Sequence, residues 1–439
     1  APAEPAAPLR PAPPRERYPL SFTELGLFRL LERQPVQHAY NLFFPLQLSG
    51  AVDSAALEAG LRAVLARHDN LRTAFAMEEG GPARRILPQV DWRLAVLDLS
   101  ALPPGEQQVA ITAARDRLRH RTFDLARPPL FAAELLRLSD AEALLLLSVS
   151  HMAMDAFSAG ILLRDLGAAY SAARRGEEPA LPPLPLRCAD YAVYCEERFR
   201  AVMGKGRDAF PPYPEDGYRL PLDHALPAAP SIVGARHPFL IPEALCARLE
   251  GLAQASAVPL STVMLCAFQV MLHRHARSPR VSFTVVRGNR QLPGLEELVG
   301  YLVYGETLHS QLGGVDYRAL LRRDQDFLRD ERQEAQPYNL LVQPPSMRVL
   351  FNYYSRPLPT SLGDLSLQFR ADLDPFAYLW DVHDLMLRVL PLQRMMLCEI
   401  AYRSEVLEAS TIRWMAEQLT VVLEEMVAAP GEEVRWAAP

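Results

Sequence analysis

Cysteine is scarce: Cys188, Cys195, Cys246, Cys266 and Cys398 lie scattered through 439 residues. No two stand at metal-ligand spacing, and an odd number argues against a disulfide framework. The expectation is a reduced, cytoplasmic protein with no metal site. Long Lys/Arg runs and basic stripes are also lacking, and the formal net charge is −6. That removes the electrostatic footprint of a nucleic-acid binder. No apolar run reaches the roughly 18 residues of a membrane span. The first residues carry no charged segment followed by an apolar core, so no secretory signal is read. Neither a glycine-rich phosphate loop nor a zinc motif occurs.

What is present is globular: 49% of residues are hydrophobic and 22% charged. The chain is longer than one core accommodates, so two domains or subdomains are expected. Residues 1–17, rich in proline and alanine, offer little to bury and read as an interdomain linker. With Ala rather than Met at position 1, they point to a segment of a longer multidomain polypeptide. Two further Pro-rich stretches, Glu177–Pro185 and Asp208–Ser231, flank a short helix around Tyr191–Val202 and mark the boundary between two halves.

The organising stretch is Leu144–Phe157. Leu144–Val149 reads as a strand buried on both faces. It breaks off at Ser150-His151, a turn holding Asp155 follows, and a helix begins. Histidine is the commonest general base, and a carboxylate four residues on makes acid–base chemistry a reading to weigh against a satisfied structural histidine. Before this stretch, Ser21–Glu24 caps a helix carrying Leu25, Phe28 and Leu31, and Asn41–Leu48 alternates as a strand. Asp53 or Ser54 caps a helix with Leu57, Leu61, Val64 and Leu65 on one face. Val96–Leu99 reads as a strand, Gly105–Arg121 as a helix, and Leu130–Leu138 with Ala143–Val149 as a hairpin. The helix after Asp155 stops at Arg174-Arg175-Gly176. In the second half, helices are predicted from Ile241-Pro242 to Ala255, over Leu260–His275, around Tyr317–Glu334 and over Ser410–Ala428. Strands are predicted at Val281–Val286, Met347–Tyr353, Leu365–Phe369, Asp384–Leu390 and Met396–Tyr402. Each half mixes strands and helices without strict βαβ alternation, which implies α/β layers.

Seven segments follow one another along the chain: Pro19-Leu20-Ser21; Arg67-His68-Asp69-Asn70-Leu71-Arg72-Thr73-Ala74-Phe75; Phe123–Leu130; Tyr191–Tyr194; Leu220–Asp223; Arg290 with Pro293, Leu295, Leu298, Val299 and Gly300; and Pro337–Val342. In this order, from about Tyr18 to Pro430, they resemble the motifs of the condensation domains of nonribosomal peptide synthetases, of the chloramphenicol-acetyltransferase-like fold. That family's signature is two histidines, three variable residues and Asp-Gly. Here it reads Ser150-His151-Met152-Ala153-Met154-Asp155-Ala156, with Ser for the first histidine and Ala for the glycine. Other departures are Glu24 for Gln, Phe28 and Tyr194 for Trp, Tyr304 for Asn, and a short stretch between Val342 and Met347. Ser150 resembles the residue found there in the terminal condensation-like domains of fungal synthetases.

The resemblance implies two chloramphenicol-acetyltransferase-like subdomains forming a V-shaped pseudo-dimer with a central tunnel. Its boundaries would be 1–17 linker, 18–187 N-terminal subdomain, 188–231 crossover segment, 232–430 C-terminal subdomain and 431–439 tail. Donor and acceptor carrier proteins would present phosphopantetheine-tethered substrates from opposite ends, and no cofactor would bind the domain itself. His151 would be the base or positioning group, Asp155 would pair with Arg290 as structural support, and Ser150, Ala156 and Tyr304 would neighbour the tunnel. The reaction would be acyl transfer forming an amide, or an ester if the acceptor is an alcohol. The alternative is a degenerate condensation-like domain that docks carrier proteins or recruits a tailoring enzyme. Adjoining synthetase domains are the remaining partners, and the excised domain is expected to be monomeric.

Further chemistry accompanies these assignments. Backbone N–H groups after His151, or the start of the next helix, are candidate oxyanion donors. If position 156 needed positive φ, alanine would cost on the order of 1 kcal/mol; if it needed room, one methyl would narrow the channel. His68, at a helix end, reads as structural, its protonated form suiting the helix dipole. Arg62, Arg67 and Arg72 read as a solvated helix face, with an acidic carrier protein as the sharper alternative. Ser158 and Cys195 have no base within sequence reach, and Asp384 reads as the cap or brace of a strand.

Overall fold

The computed structural model describes residues 9–33, 37–203, 219–228, 233–329, 348–354, 358–374, 377–378, 383–392 and 394–435. The chain divides into two compact units, one of residues 1–209, 288–303 and 358–375, the other of 210–287, 304–357 and 376–439. It therefore passes from one unit to the other five times, at 209/210, 287/288, 303/304, 357/358 and 375/376.

The first segment carries α1 (Phe22–Arg33), β1 (Asn41–Ser49), α2 (Ser54–Arg67), β2 (Thr73–Glu78), β3 (Gly81–Ile86) and β4 (Ala95–Asp98). It continues with α3 (Pro104–Arg119), β5 (Phe131–Arg137), β6 (Glu142–Ser150), α4 (Ala156–Arg174) and α5 (Cys188–Met203). Next come β7 (Val233–Ile241), α6 (Glu243–Ala255), α7 (Leu260–Ala276) and β8 (Arg280–Arg287). After the return at 288–303 follow β9 (Tyr304–Gln311), α8 (Tyr317–Arg329) and β10 (Val349–Tyr353). β11 (Ser361–Leu362) and β12 (Leu365–Phe369) belong to the first unit again. The chain closes with β13 (Ala377–Tyr378), β14 (Leu385–Pro391), β15 (Met396–Tyr402) and α9 (Ala409–Ala428).

The sheet of the first unit has the order β11-β12-β1-β6-β5-β4, antiparallel except for the β4–β5 pair. β6 is flanked by β1 and β5, and Leu144 to Leu147 are at most 1% exposed. On one face α3 packs against β1, β5 and β6. On the other, Ala159, Leu162 and Leu163 of α4 meet Phe44, Leu147 and Val149. Cover on both faces is why this strand is uninterrupted leucine rather than alternating, and each buried leucine contributes about 1.5–3 kcal/mol. The Asp53 carboxylate caps α2 by accepting from the N–H groups of Ala55 and Ala56 at 3.0 and 2.9 Å. α2 packs on α4 across Gly60, where a Cβ would lie 3.1 Å from the Tyr170 nitrogen.

The second unit holds a sheet of order β13-β7-β15-β14-β10-β8-β9, with β8, β10 and β14 parallel to one another. α7 is surrounded by α6, α8 and α9 and is buried from Thr262 to Arg274, so its sequence is mostly apolar, with Thr262, Gln269, His273 and Arg274 as the buried polar exceptions. Both units are α/β layers, and mixed pairing replaces βαβ alternation.

Six strands lie where none was predicted, two of them the two-residue β11 and β13. β2 and β3 pair as a separate two-stranded ribbon, β3 carrying Arg84 and Arg85. β7 contains Gly234 and Pro238, both poor strand residues. β9 alternates buried with accessible positions, but its buried set includes Tyr304, Glu306 and Ser310. Residues 330–334 of the predicted helix and the segment Pro337–Val342 lie outside the described residues. Among the described residues no single helix is long and apolar enough to cross a membrane.

Candidate functional site

β6 ends in a turn whose backbone is almost fully bonded. The Ser150 N–H donates to Leu130 O at 3.0 Å, and the His151 N–H to Tyr40 O at 2.9 Å. The N–H of Ala153 returns to Ser150 O at 2.9 Å, and that of Met152 to Ser150 Oγ at 3.4 Å. Ser150 thus braces the turn through its own hydroxyl and carbonyl. Met152, Ala153 and Met154 are at most 1% exposed.

His151 is 9% exposed. Its Nδ1 lies 2.9 Å from the Met154 carbonyl oxygen. A carbonyl only accepts, so Nδ1 carries the proton and Nε2 the lone pair. Burial holds the imidazole below its ordinary pKa, against the opposing pull of the Met154 carbonyl and the Asp155 charge. The ring is therefore neutral near pH 7. Tyr301 packs against it edge to face, with centroids 4.9 Å apart and planes at 81°.

Asp155 faces away from that chemistry. Its carboxylate caps α4, Oδ1 accepting from the N–H and the hydroxyl of Ser158 at 2.9 and 2.8 Å. Arg290 donates Nη2 to Oδ1 and Nη1 to Oδ2, both at 2.9 Å, and the Leu302 N–H reaches Oδ2 at 3.1 Å. The guanidinium lies over the Phe157 ring at 4.2 Å. Arg290 follows Asn289, whose left-handed backbone (φ 51°) suits asparagine. The Asn289 side chain donates to Tyr191 Oη at 2.7 Å and Leu302 O at 3.0 Å. The Asp155 N–H donates to Gly300 O at 3.1 Å, and a Cβ on Gly300 would overlap Cys188 Sγ.

Ala156 opens α4, and the positive-φ non-glycine residues among those described are Ala257, Arg277 and Asn289. Alanine at 156 therefore costs no backbone strain. Tyr304 belongs to the second unit, where it opens β9 opposite Arg287 and burial beside Glu306 pushes its hydroxyl up to about 12. The structure thus gathers Ser150, His151, Asp155, Ala156 and Arg290 in one unit, together with Tyr301 and Asn70, which the sequence reading did not single out.

The remaining candidates have structural settings. His68 places Nε2 2.9 Å from Asp165 Oδ2. Burial holds its pKa below the ordinary value, outweighing Asp165, so a neutral ring replaces the expected dipole-stabilised cation. Arg67 pairs with Asp165 at 3.2 Å with its side chain only 10% exposed, which overturns the solvated reading for that residue. Arg62 donates to Trp92 O at 2.6 Å, and Arg72 to the carbonyls of Leu87 and Ala66. Ser158 is bound to Asp155, and burial pushes the Cys195 thiol up to about 12. Asp384 braces Arg348 at 2.7 Å and Arg403 at 3.3 Å. Among the described residues no cluster of His, Cys, Asp and Glu could hold a metal.

A family model, the condensation domain, matches residues 15–436. The chain belongs to the condensation-domain family. It is 30% identical over 98% of its length to chondramide synthase cmdD of Chondromyces crocatus, covering 11% of that protein. To phosphinothricin tripeptide synthetase PhsC of Streptomyces viridochromogenes it is 32% identical over 79% of its length, covering 33% of that relative. The chain spans a third or less of each of these two relatives. Among solved structures, the X-domain from teicoplanin biosynthesis matches with TM-score 0.79 at 23% identity, covering 98% of this chain and 99% of that one. The condensation domain from the monacolin K polyketide synthase MokA matches with TM-score 0.78 at 16% identity, covering 95% and 99%. At these identities the structural matches establish the shared fold.

Proposed function

We propose that this condensation domain joins an acyl or peptidyl thioester, carried on the phosphopantetheine of a donor carrier protein, to an amine on an acceptor carrier protein. The observation that supports this most is His151: a neutral imidazole with Nδ1 committed to Met154 O and its lone pair at Nε2. An ammonium cannot attack a thioester, and a neutral imidazole accepts or aligns the amine proton. The amine nitrogen bonds to the thioester carbon as its proton passes to Nε2. The tetrahedral intermediate then expels the pantetheine thiolate, which recovers that proton as a thiol. An alcohol acceptor would give an ester by the same steps.

The oxyanion needs donors where its charge develops. The N–H groups of Met152, Ala153 and Asp155 are occupied by Ser150 Oγ, Ser150 O and Gly300 O. The start of α4 remains as the candidate donor, with the N–H groups of Ala156 and Phe157 at its positive end. Asp155 and Arg290 act as structural support, and Ser150 and Ala156 as neighbours of the tethered substrates. His151→Ala, assayed on loaded donor and acceptor carrier proteins, is expected to lower turnover by about 10²–10⁴-fold. Unchanged turnover would end the catalytic reading.

The changed residues Ser150 and Ala156 favour a second reading, in which the domain docks carrier proteins or a tailoring enzyme without catalysis. One structural relative of TM-score 0.77 is an X-domain in complex with OxyB. Product formation that depends on His151 excludes this alternative.

A further inference from the structure

We infer that Asn70, held by Arg84 and Glu24, is a positioning residue that sets the tilt of His151 through the carbonyls of Met152 and Ala153. The inference rests on the catalytic reading of His151. Asn70 is fully buried, and its Nδ2 donates to Ala153 O at 2.8 Å and to Met152 O at 3.4 Å. Its Oδ1 accepts from Arg84 Nη1 at 3.2 Å. The amide has one orientation, because guanidinium only donates and carbonyls only accept.

Behind Asn70 stands a buried ion pair. Arg84 is 1% exposed, pairs with Glu24, which is 2% exposed, and lies 5.3 Å from the Phe75 centroid. Glu24 also accepts from the Ser21 N–H at 2.9 Å, and the backbone of Arg84 is paired with Tyr18 at 3.0 and 2.9 Å. Three parts of the first unit, α1, β3 and the turn after α2, thus converge on one amide.

The signature turn needs that amide. Ser150 O is taken by the Ala153 N–H, and Met154 O by His151 Nδ1. Of the three carbonyls between them, those of Met152 and Ala153 belong to fully buried residues and take their donor from Asn70 Nδ2. Without it they become buried acceptors lacking a partner. The peptides then rotate to seek one, and the adjacent Met154 carbonyl swings with them, carrying His151 Nδ1. Asp155 and Arg290 hold the far end of the turn; Asn70 holds its middle.

The test is Asn70→Asp, isosteric but unable to donate to carbonyls, with Asn70→Ser, too short to reach them, as the variant read if the first does not unfold cooperatively. In the ¹⁵N-histidine-labelled chain, His151, assigned by the signal lost in His151→Gln, is expected as a single Nδ1–H tautomer. In either variant it is expected as a tautomer mixture. On loaded carrier proteins kcat is expected to fall on the order of 10²-fold with KM for both tethered substrates unchanged. An unchanged His151 spectrum overturns the inference, as does an altered spectrum with unchanged kcat in a domain whose turnover depends on His151. Because the spectrum needs no turnover, failure of the catalytic reading and failure of this inference are separately visible.

Discussion

Removing Asp155 tests the anchor of the site most directly. Asp155→Ala deletes the acceptor of five hydrogen bonds and leaves the Arg290 guanidinium, whose side chain is 5% exposed, without a counter-charge. Stranding one partner of a buried pair costs about 3–5 kcal/mol, and losing an N-cap about 1 kcal/mol. The first unit should therefore lose about 4–6 kcal/mol. Arg290→Met leaves the carboxylate with three donors of its own, the N–H and O–H of Ser158 and the Leu302 N–H. Its cost belongs at the low end, about 3 kcal/mol. In the double variant no ion is stranded, so its cost should fall short of the sum by about 2–3 kcal/mol. Urea unfolding followed through fluorine-labelled Trp92, the one tryptophan in the residues of the first unit, reads the cycle. Additivity within about 0.5 kcal/mol would refute the claim that the pair is coupled.

Two further outcomes follow from close packing and buried charge. Gly300→Ala should unfold at lower urea than the parent, because its Cβ would overlap Cys188 Sγ, and Cys188→Ala in the same chain should recover most of the loss. Equal instability of the single and double variants would rule that contact out as the cause. In the second unit, burial raises Asp324 from 3.8 to about 6, beside Cys266 and Gln269. Between these values the folded state holds the proton more tightly than the unfolded state, so stability is lost as pH rises through about 4–6. Asp324→Asn should remove that slope and exceed the parent at pH 7 by up to about 3 kcal/mol; parallel stability curves from pH 4 to 7 would sink this account.

The strand–turn–helix around His151 was legible because an apolar run that stops at a polar turn has few alternatives, and Asp155 stands where a cap belongs. Arg290 was reachable through the resemblance, since it lies 135 residues beyond Asp155 with no local pattern joining them. Asn70 and Tyr301 were not singled out: each sits inside a quoted or adjoining segment, but spacing does not tell which buried polar group faces which carbonyl. His68 was misread as a cation because a helix end argues for charge, whereas its burial, invisible in sequence, argues more strongly against it. β7 escaped because Gly234 and Pro238 interrupt it, and β9 because Tyr304, Glu306 and Ser310 occupy its buried face.

The five passages of the chain between units decide how such a domain can be recombined. A graft joined at 209/210 would take Asp155 from one parent and Arg290, Gly300 and Leu302 from the other. It would also take β12 from the second parent, so a mismatch there would leave β1 as an open edge competent to pair with other chains. A chimaera that keeps the signature turn intact must carry 288–303 and 358–375 together with 1–209, three pieces inherited as one.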